Sequence, residues 1–266
     1  MFKKIILAAA LAVTASFATW DYFPVLPAGQ GSAKGGLYYD WDGDWSQAGL
    51  EVGARFSLIE KLELSLQSWG YQFWSEEDCK GCVNGGDGLR DLTIGARFEV
   101  APMITAFLDF HLPIGNDDYS KNGHAPSTDE IALYLGGQFS MEVPNAPGFK
   151  FGTEAGIDWG FEHNHYDRGL ELHIAGEADY TIQSIGLTPL LGLKFKFKVF
   201  EDEWEDGAGK EHGEDNSGHN QIQIWLGAQY AVAPNLSVLA KLIVRSGDPE
   251  MGGDASGLYA GVEFFF

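Results

Sequence analysis

The sequence has few basic residues, no nucleotide-binding motif and no long apolar run beyond its first 18 residues. Only 17 lysines and arginines stand against 38 aspartates and glutamates, and so acidic a surface repels the phosphates of nucleic acids. The lack of a nucleotide motif means that no energy source is indicated. No later stretch stays apolar for about 18 residues, so no membrane-spanning helix is expected in the mature chain.

Glycine and aromatic residues, by contrast, are abundant. The chain has 35 glycines, 14% aromatic and 45% hydrophobic residues, which is too apolar for intrinsic disorder and rich in glycine for a packed helical fold. This composition favours β-sheet. A transmembrane β-strand needs only about 9–11 residues with one apolar face, so it leaves a much weaker hydropathy signal than a helix.

Residues 1–18 have the layout of a secretory signal peptide. Lys3 and Lys4 precede a short apolar run, and small residues lead to an expected cleavage site after Ala18. The apolar run is shorter than the roughly 20 residues that a spanning helix needs. No cysteine follows the cleavage site, which argues against a lipid anchor. We therefore expect an exported protein.

Side chains of alternating polarity dominate the rest of the chain. In residues 89–99, Leu92 and Ile94 share one parity while Asp91 and Arg97 share the other, a period of two that is typical of a strand with one apolar face. Most runs are long enough to cross a band of about 25 Å at roughly 3.3 Å per residue and a tilt of roughly 40°. Twelve such runs are predicted, at 33–41, 46–58, 61–74, 89–100, 103–113, 128–142, 149–163, 168–183, 187–200, 219–233, 236–246 and 256–266.

The connections between these runs alternate in length. Short turns such as "IEK" and "APM" alternate with polar and mostly longer connections such as "GNDDYSKNGHAPS". This rhythm is typical of an up-and-down barrel with short periplasmic turns and longer extracellular loops. We therefore predict an all-β, 12-stranded antiparallel transmembrane β-barrel with both termini in the periplasm. A soluble β-sandwich, whose strands also alternate, is the competing fold.

The chain ends in the apolar sequence "GLYAGVEFFF". Leu258, Val262, Phe264 and Phe266 share one parity, so we expect them to face lipid. They resemble the C-terminal recognition signal of bacterial outer-membrane barrels, which the barrel-assembly machinery reads. The resemblance implies an outer-membrane location and makes this machinery an expected partner.

Residues 86–117 carry two strands joined by a short turn. They resemble the outer-membrane family described as the MetA pathway of phenol degradation, whose members show a Gly-Asp-Leu-x-x-Gly strand and then a strand ending in Leu-Pro-x-Gly. Arg90 stands where glycine is usual. The resemblance implies a twelve-stranded barrel that moves small molecules, often hydrophobic ones. The matching residues are Asp91, Leu92, Gly95, Leu112, Pro113 and Gly115.

The polar parity of the predicted strands is expected to line the lumen. A transverse field between a basic and an acidic wall would orient dipolar solutes at a constriction. The alternative is a structural ion-pair network, because twelve strands enclose far less space than the roughly 16–18 strands of water-filled porins. The basic group is Lys194, Lys196, Lys198, Lys241 and Arg245, and the acidic group is Glu154, Asp158, Glu171, Glu177 and Asp179.

Other candidate sites carry weaker signals. Cys79 and Cys82 lie in one outer loop, and a disulfide within that loop is favoured over a metal site or redox chemistry, because the sequence shows no second cysteine pair nearby and no thioredoxin-like context. No metal site is predicted. His111 and His173 lie on the lumen parity, and no serine shares a recognisable motif with either, so the sequence predicts neither an enzyme nor a cofactor.

These patterns together predict an outer-membrane channel with a signal peptide at 1–18, an N-terminal periplasmic segment at 19–32 and a barrel at 33–266. Small solutes, with hydrophobic or aromatic ones among the candidates, would cross the charged lumen passively. The expected partners are outer-membrane lipid, the barrel-assembly machinery and a small-molecule solute, and no nucleic acid is expected. The alternative is a non-conducting structural or surface-display barrel for envelope integrity or adhesion. Residues 19–32 form either a periplasmic tail or a partial plug.

Overall fold

The computed structural model describes residues 20–77, 86–116, 125–162, 166–205 and 210–266. The predicted signal peptide and the two cysteines, Cys79 and Cys82, lie outside the described residues. None of the helical segments in the described ranges is long and apolar enough to cross a membrane.

Twelve long antiparallel strands form one closed sheet. Each pairs with the next along the chain, and the last pairs with the first, from Ser32 opposite Phe265 to Trp41 opposite Ser256. The predicted 12-stranded up-and-down barrel is therefore confirmed. The strands are β1 (Gly31–Trp41), β2 (Trp45–Ile59), β3 (Leu62–Glu77), β4 (Leu92–Ala101), β5 (Ile104–Leu112), β6 (Ile131–Glu142), β7 (Phe149–Phe161), β8 (Leu170–Tyr180), β9 (Leu187–Phe200), β10 (Asn220–Ala233), β11 (Leu236–Gly247) and β12 (Ala255–Phe265).

The observed strand ends differ from the predicted ones in a few places. β3 runs to Glu77 rather than to residue 74, because it stays paired with β2 through three irregularities in register that carry the ladder to Trp45. β6 begins at Ile131 rather than at 128, and β8 ends at Tyr180 rather than at 183. Alternation in sequence thus locates each strand but not where its hydrogen bonding stops.

Alternation along each strand separates a lipid-facing surface from a lumen. On β9, Leu191 and Leu193 are 55% and 52% exposed, whereas the next residue, Lys194, is 1% exposed. A soluble sandwich buries its apolar side chains and exposes its charged ones. This barrel does the opposite, as a protein surrounded by hydrocarbon must. Exposed rings mark both ends of the wall, namely Tyr39, Phe73, Trp159 and Phe197 at the outer end and Phe56, Phe98, Phe139, Tyr180 and Tyr230 at the periplasmic end.

Short turns join the strands at the periplasmic end of the barrel, where β1 begins and β12 ends. Lys61 and Met103 adopt left-handed backbone conformations in these turns, with φ of 72° and 67°. At the opposite end, three short pieces of the longer connections, Tyr166–Asp167, Glu203–Glu205 and Glu211–Gly213, pair as a small three-stranded sheet. The sequence does not predict this sheet, because each piece is too short to show a period.

The two ends of the barrel wall meet at one seam. The Gly31 amide donates to the Phe266 carbonyl oxygen at 2.8 Å, and the Phe266 amide donates to the Gly31 carbonyl oxygen at 3.0 Å. Phe264 and Phe266 are 44% and 57% exposed, on the lipid-facing side that their parity predicts. Their recognition by the assembly machinery stays a prediction.

Replacing Leu226 with arginine tests the lipid-facing assignment. Leu226 is 60% exposed near the middle of β10, so Leu226→Arg places a charge in hydrocarbon and should lower the free energy of unfolding by about 2–4 kcal/mol. Val232, 54% exposed near the periplasmic end of the same strand, is the matched control, and Val232→Arg should cost about 1 kcal/mol or less. Equal costs at the two positions, measured in lipid vesicles, would contradict the assignment.

Candidate functional site

Ionisable and amide side chains line the inner surface of the barrel. Burying an ion without a partner costs several kcal/mol, so each of these groups needs a paired charge, a hydrogen bond or water. The partners that they find therefore decide what the lumen can do. The buried charged and amide side chains at inward strand positions include Glu51, Arg55, Glu63, Gln67, Arg97, Asp109, Gln138, Glu154, Asp158, Glu171, Glu177, Asp179, Lys194, Lys198, Gln221, Gln223 and Arg245.

Residues 20–30 are termed the N-terminal plug below. Residues 20–26 contact inward-facing side chains of the wall, whereas residues 27–30 are exposed and lead to β1. The Trp20 side chain is 7% exposed, and the Lys34 ammonium lies 4.1 Å from its ring centroid. The Leu26 amide donates to Glu63 Oε2 at 3.0 Å. The sequence leaves a tail and a partial plug open for this segment, and the structure places residues 20–26 of it within the barrel. The wall itself begins at Gly31, two residues before the predicted boundary.

Asp21 anchors the N-terminal plug to the wall. Its carboxylate accepts hydrogen bonds from Arg55 Nη1 at 2.7 Å and from Arg97 Nη1 at 2.9 Å, and its main-chain oxygen accepts one from Gln138 Nε2 at 2.8 Å. Burial acts to raise the pKa of Asp21, but the two guanidinium groups outweigh it and lower that pKa from 3.8 to about 2. The carboxylate is therefore charged at neutral pH and ties the plug to β2 and β4.

Two glycines leave room in the wall for the N-terminal plug. A β-carbon at Gly152 on β7 would collide with the main-chain oxygen of Tyr22, and one at Gly53 on β2 would collide with the Trp20 ring. The Tyr22 ring also stacks on Trp225 of β10, with 5.9 Å between ring centroids. The plug therefore crosses the lumen from β2 to the opposite strands.

Carboxylates at mid-lumen are held by buried donors. Glu154 accepts from the Tyr134 hydroxyl at 2.6 Å. Glu177 accepts from Trp225 Nε1 at 2.5 Å and from Lys241 Nζ at 3.3 Å. These hydrogen bonds fix the positions of the carboxylates and compensate for their loss of water.

Arg168 gathers three carboxylates at the outer end of the lumen. Its guanidinium donates to Asp158 Oδ1 at 2.7 Å, contacts Glu130 and lies 3.9 Å from Glu171 Oε1. Lys198 Nζ lies 3.0 Å from the same Glu171 oxygen. Burial raises the pKa of Glu130, which precedes β6, to about 7, although Arg168 acts to lower it. Asp158 and Glu171 are therefore paired with cations at this end, and Glu130 is about half protonated near neutral pH.

One group within this outer cluster has the composition of a metal site. Asp158, Glu171 and His173 place one potential ligand atom each within 4.8 Å of one another. Arg168 and Lys198 already contact the two carboxylates, at 2.7 Å and 3.0 Å. The two cations neutralise these carboxylates, and Glu171 Oε2 already lies 2.9 Å from His173 Nε2, so we describe this group as an ion-pair network.

Several of the predicted basic and acidic side chains contact each other directly. Lys198 pairs with Glu171, and Lys241 lies 3.3 Å from Glu177. Asp179 instead faces Lys150, at 3.7 Å. These contacts support the ion-pair alternative for the acids concerned. A role of the two groups in selectivity stays a prediction.

The remaining predicted bases lie on the same side of the lumen, on β9 and β11. The Lys194 ammonium lies 5.6 Å from the centroid of the Tyr134 ring. Lys196 is half-buried two residues further out. Arg245 Nε donates to Gln223 Oε1 at 3.2 Å, and among the described residues its other two guanidinium nitrogens find no hydrogen-bond acceptor.

Sequence reasoning missed Asp21 and Arg168, which organise the two ends of the lumen. Asp21 precedes the predicted strands, so alternation assigns it no face. Arg168 begins the predicted run 168–183 on the lipid-facing parity, so alternation assigns it the wrong face. For Asp21 a signal was present in the aromatic neighbours Trp20, Tyr22 and Phe23, because an exposed tail has little use for so large an apolar cluster. For Arg168 we find no comparable signal.

Asp91, just before β4, accepts hydrogen bonds from the connection between β5 and β6. Its Oδ1 accepts from the Gly115 amide at 3.0 Å, and its Oδ2 accepts from the Thr128 amide at 2.8 Å and lies 3.3 Å from His111 Nε2. Asp91 and Gly115 come from the two halves of the motif noted in the sequence, so this hydrogen bond joins the two halves. Arg90, at the position where glycine is usual, is buried at 6% exposure.

The closed barrel, its apolar outer surface and its polar lumen define an outer-membrane β-barrel protein. A channel from the outer membrane of Pseudomonas putida F1 is 13% identical, with 93% of this chain and 99% of that chain covered and a TM-score of 0.64. The translocator domain of the autotransporter NalP from Neisseria meningitidis is 11% identical, with 98% and 97% covered and a TM-score of 0.54. The NanC porin is 10% identical, with 88% and 98% covered and a TM-score of 0.50. These likenesses establish the fold.

The family follows from the sequence. The family model described as "Putative MetA-pathway of phenol degradation" matches residues 25–250. The chain therefore belongs to this family, as its motif at residues 86–117 predicts. A comparison with curated proteins gave no match.

Asp91→Asn tests the contact between the motif halves. Asparagine keeps the shape but removes the charge and one acceptor, so one of the two amides, of Gly115 or Thr128, loses its partner. We expect the free energy of unfolding in detergent to fall by about 1–3 kcal/mol. Asp44, whose side chain is exposed, is the control, and Asp44→Asn should change stability by about 0.5 kcal/mol or less. Equal stabilities for the two variants would show that the Asp91 contacts contribute nothing.

Proposed function

We propose that this protein is a porin-like outer-membrane channel for small solutes and that the N-terminal plug closes it at rest. The observation that supports the proposal best is the plug itself, a segment that crosses the lumen and is held there by side-chain and ring contacts. In this proposal residues 1–18 direct export, the assembly machinery inserts the barrel through its C-terminal strand, and lipid contacts the apolar outer surface.

The attachment of the plug supports a reversible closure. Gly29 and Gln30 make backbone hydrogen bonds to Ser57 of β2, but residues 20–28 contribute no strand to the sheet, so their release would leave every barrel ladder intact. The contacts to be broken include the two Asp21 ion pairs, the Leu26 hydrogen bond and the stacking of Tyr22 on Trp225. Such contacts can exchange for water at modest cost, whereas lost ladder hydrogen bonds in hydrocarbon cannot.

The character of the lumen supports polar or charged solutes. Its buried surface carries many ions and amides, with rings such as Tyr134 and Trp225 among them. An apolar depression of about 1020 Å³ is present in the wall, lined by outward residues such as Leu37, Phe73 and Leu226 and also by the inward Lys241 and Tyr259. Its lining is mostly apolar and outward-facing, unlike the charged lumen.

A non-conducting structural barrel is the second candidate. It is supported by the pairing of lumen charges, such as Arg168 with Asp158 and Lys198 with Glu171, because a network of this kind can fill a narrow barrel. In that case the N-terminal plug is a permanent part of the interior. Recordings in planar lipid bilayers separate the two candidates.

Asp21→Asn is the variant that tests closure by the plug. It removes both ion pairs to β2 and β4, and the lowered pKa of Asp21 corresponds to about 2 kcal/mol of stabilisation at neutral pH. We expect the fraction of time spent in the conducting state to rise by about tenfold or more in single-channel recordings. Asp44→Asn, in an exposed position, should behave like the unaltered protein.

Three outcomes of these recordings distinguish the candidates. Discrete openings that become more frequent in Asp21→Asn support the gated channel. Openings that are frequent and identical in all three proteins would refute closure by the plug but not conduction. Correctly folded protein that stays silent even in Asp21→Asn would favour the structural barrel.

The same variant makes a prediction about pH. Because the pKa of Asp21 is lower in the docked plug than the ordinary 3.8, its stabilisation is complete above that pH and is lost as the pH falls through about 2. The excess open time of Asp21→Asn over the unaltered protein should therefore be constant near neutrality and vanish near pH 2. An excess that persists at pH 2 would show that Asp21 does not hold the plug by charge.

A further inference from the structure

The guanidinium of Arg245 is buried without enough acceptors. Arg245 is 3% exposed, and Nη1 and Nη2 make no hydrogen bond to any residue of the described chain. The nearest carboxylate oxygen, Asp40 Oδ1, lies 3.7 Å from Nη1, which is beyond hydrogen-bond distance. Buried N–H groups are rarely left without acceptors, so such a group calls for a partner that the chain does not supply.

A second unsatisfied donor lies on the next strand. Gln221 on β10 is 1% exposed, and its Nε2 also has no acceptor among the described residues. In the barrel register Gln223 lies opposite Arg245, and Gln221 lies one inward position further out on the same face. Lys196 on β9 lies directly opposite Gln221. Three strands therefore present a guanidinium, an amide and an ammonium to one region of the outer lumen.

We propose that Arg245, Gln221 and Lys196 form a binding subsite for the carboxylate of a small solute. A carboxylate offers two coplanar oxygens that match the paired N–H groups of an arginine fork, and its other lone pairs can accept from an amide. The subsite deepens the proposed function by naming the solute's charged group. It rests on that function only in requiring that the solute enter the lumen.

The charges around the subsite favour an anion. Asp40 is the carboxylate nearest to Arg245, and Gln47 Nε2 already donates to its other oxygen at 3.3 Å. Glu51 lies across the same small cavity, but Arg90 faces it at 3.7 Å. Lys196 supplies a second basic group on β9. The carboxylates beyond it, Asp158 and Glu171, are bound by Arg168 and Lys198.

The space beside Arg245 limits the size of the bound group. The cavity that it lines with Tyr38, Ile243 and Tyr259 measures about 10 Å³, which is room for about one water molecule. Gln221 and Lys196 do not line this cavity, so a carboxylate would have to approach Arg245 from the open lumen and not from the cavity. The cavity itself has no room for a bulky ring beside the guanidinium.

Binding can be measured at equilibrium, without conduction. The probe is acetate labelled with ¹³C at the carboxyl carbon, whose transverse relaxation rises when it binds the full-length folded protein in detergent at constant ionic strength. We expect saturable binding that weakens by about tenfold in Arg245→Gln, less in Arg245→Lys, which keeps the charge but loses the fork. Lys61→Gln, in an exposed periplasmic turn, removes one positive charge elsewhere and should leave binding unchanged.

Each other result would overturn the subsite. Unsaturable relaxation in the unaltered protein means that water alone satisfies Arg245, and equal affinity in Arg245→Gln means that acetate binds elsewhere. Displacement of acetate by an equal concentration of chloride would show a site that senses charge without recognising the carboxylate. If Arg245→Gln does not fold, as judged by its mobility in heated and unheated gel samples, Gln221→Met carries the test, with a weaker affinity expected and an unchanged affinity against the proposal. A failed proposed function would instead appear as silence in bilayers, whatever acetate does.

Discussion

The need to satisfy every backbone amide and carbonyl within hydrocarbon governs this structure. A bilayer offers no water to an unpaired strand edge, so a sheet that crosses it must close on itself. Here the closure is the pairing of β1 with β12, from Ser32 and Phe265 to Trp41 and Ser256. Once the cylinder is closed, every second side chain has to meet lipid and its neighbours have to meet the interior. The alternation of polar and apolar residues is a direct result.

Because the barrel is narrow, its charged inward side chains are crowded together. Twelve strands bring the inward side chains close together, so ions cannot be left unpaired without a large cost in desolvation. Local ion pairs avoid this cost. Lys198 pairs with Glu171 at the outer end, and Asp21 pairs with two arginines at the periplasmic end. Arg245 is an exception in this scheme, which is why we regard it as a place for an external anion.

The need to pair buried charges also explains the position of the N-terminal plug. Arg55 and Arg97 project from neighbouring parts of the wall. Among the wall carboxylates, Glu63 lies 3.7 Å from Arg55 and 3.1 Å from Arg97, and Glu263 lies 3.6 Å from Arg55. Asp21 supplies the additional carboxylate at shorter distances. The plug therefore completes the charge pairing of the inner lumen while it occupies the path of a solute. Closure and stability of the interior depend on the same side chain.

Much of the fold could be predicted because strand alternation is local. The number of strands, their lipid-facing residues, the end that holds the termini and the family motif can all be read from short stretches such as residues 89–99. The lumen could be predicted only as a set of inward residues. Which members pair depends on the register between strands, and alternation along one strand carries no information about its neighbour's offset.

Three features were therefore decided by the tertiary structure alone. Asp21 reaches Arg55 and Arg97 because the chain turns back into its own barrel, Arg168 reaches Asp158 from an outer connection, and Asp91 meets Gly115 across two strands. By itself the sequence determined a twelve-stranded barrel with a charged inner parity, since periodicity records only which side of a sheet a residue occupies. The closed three-dimensional structure decided which charges meet, because those contacts join residues far apart in the chain.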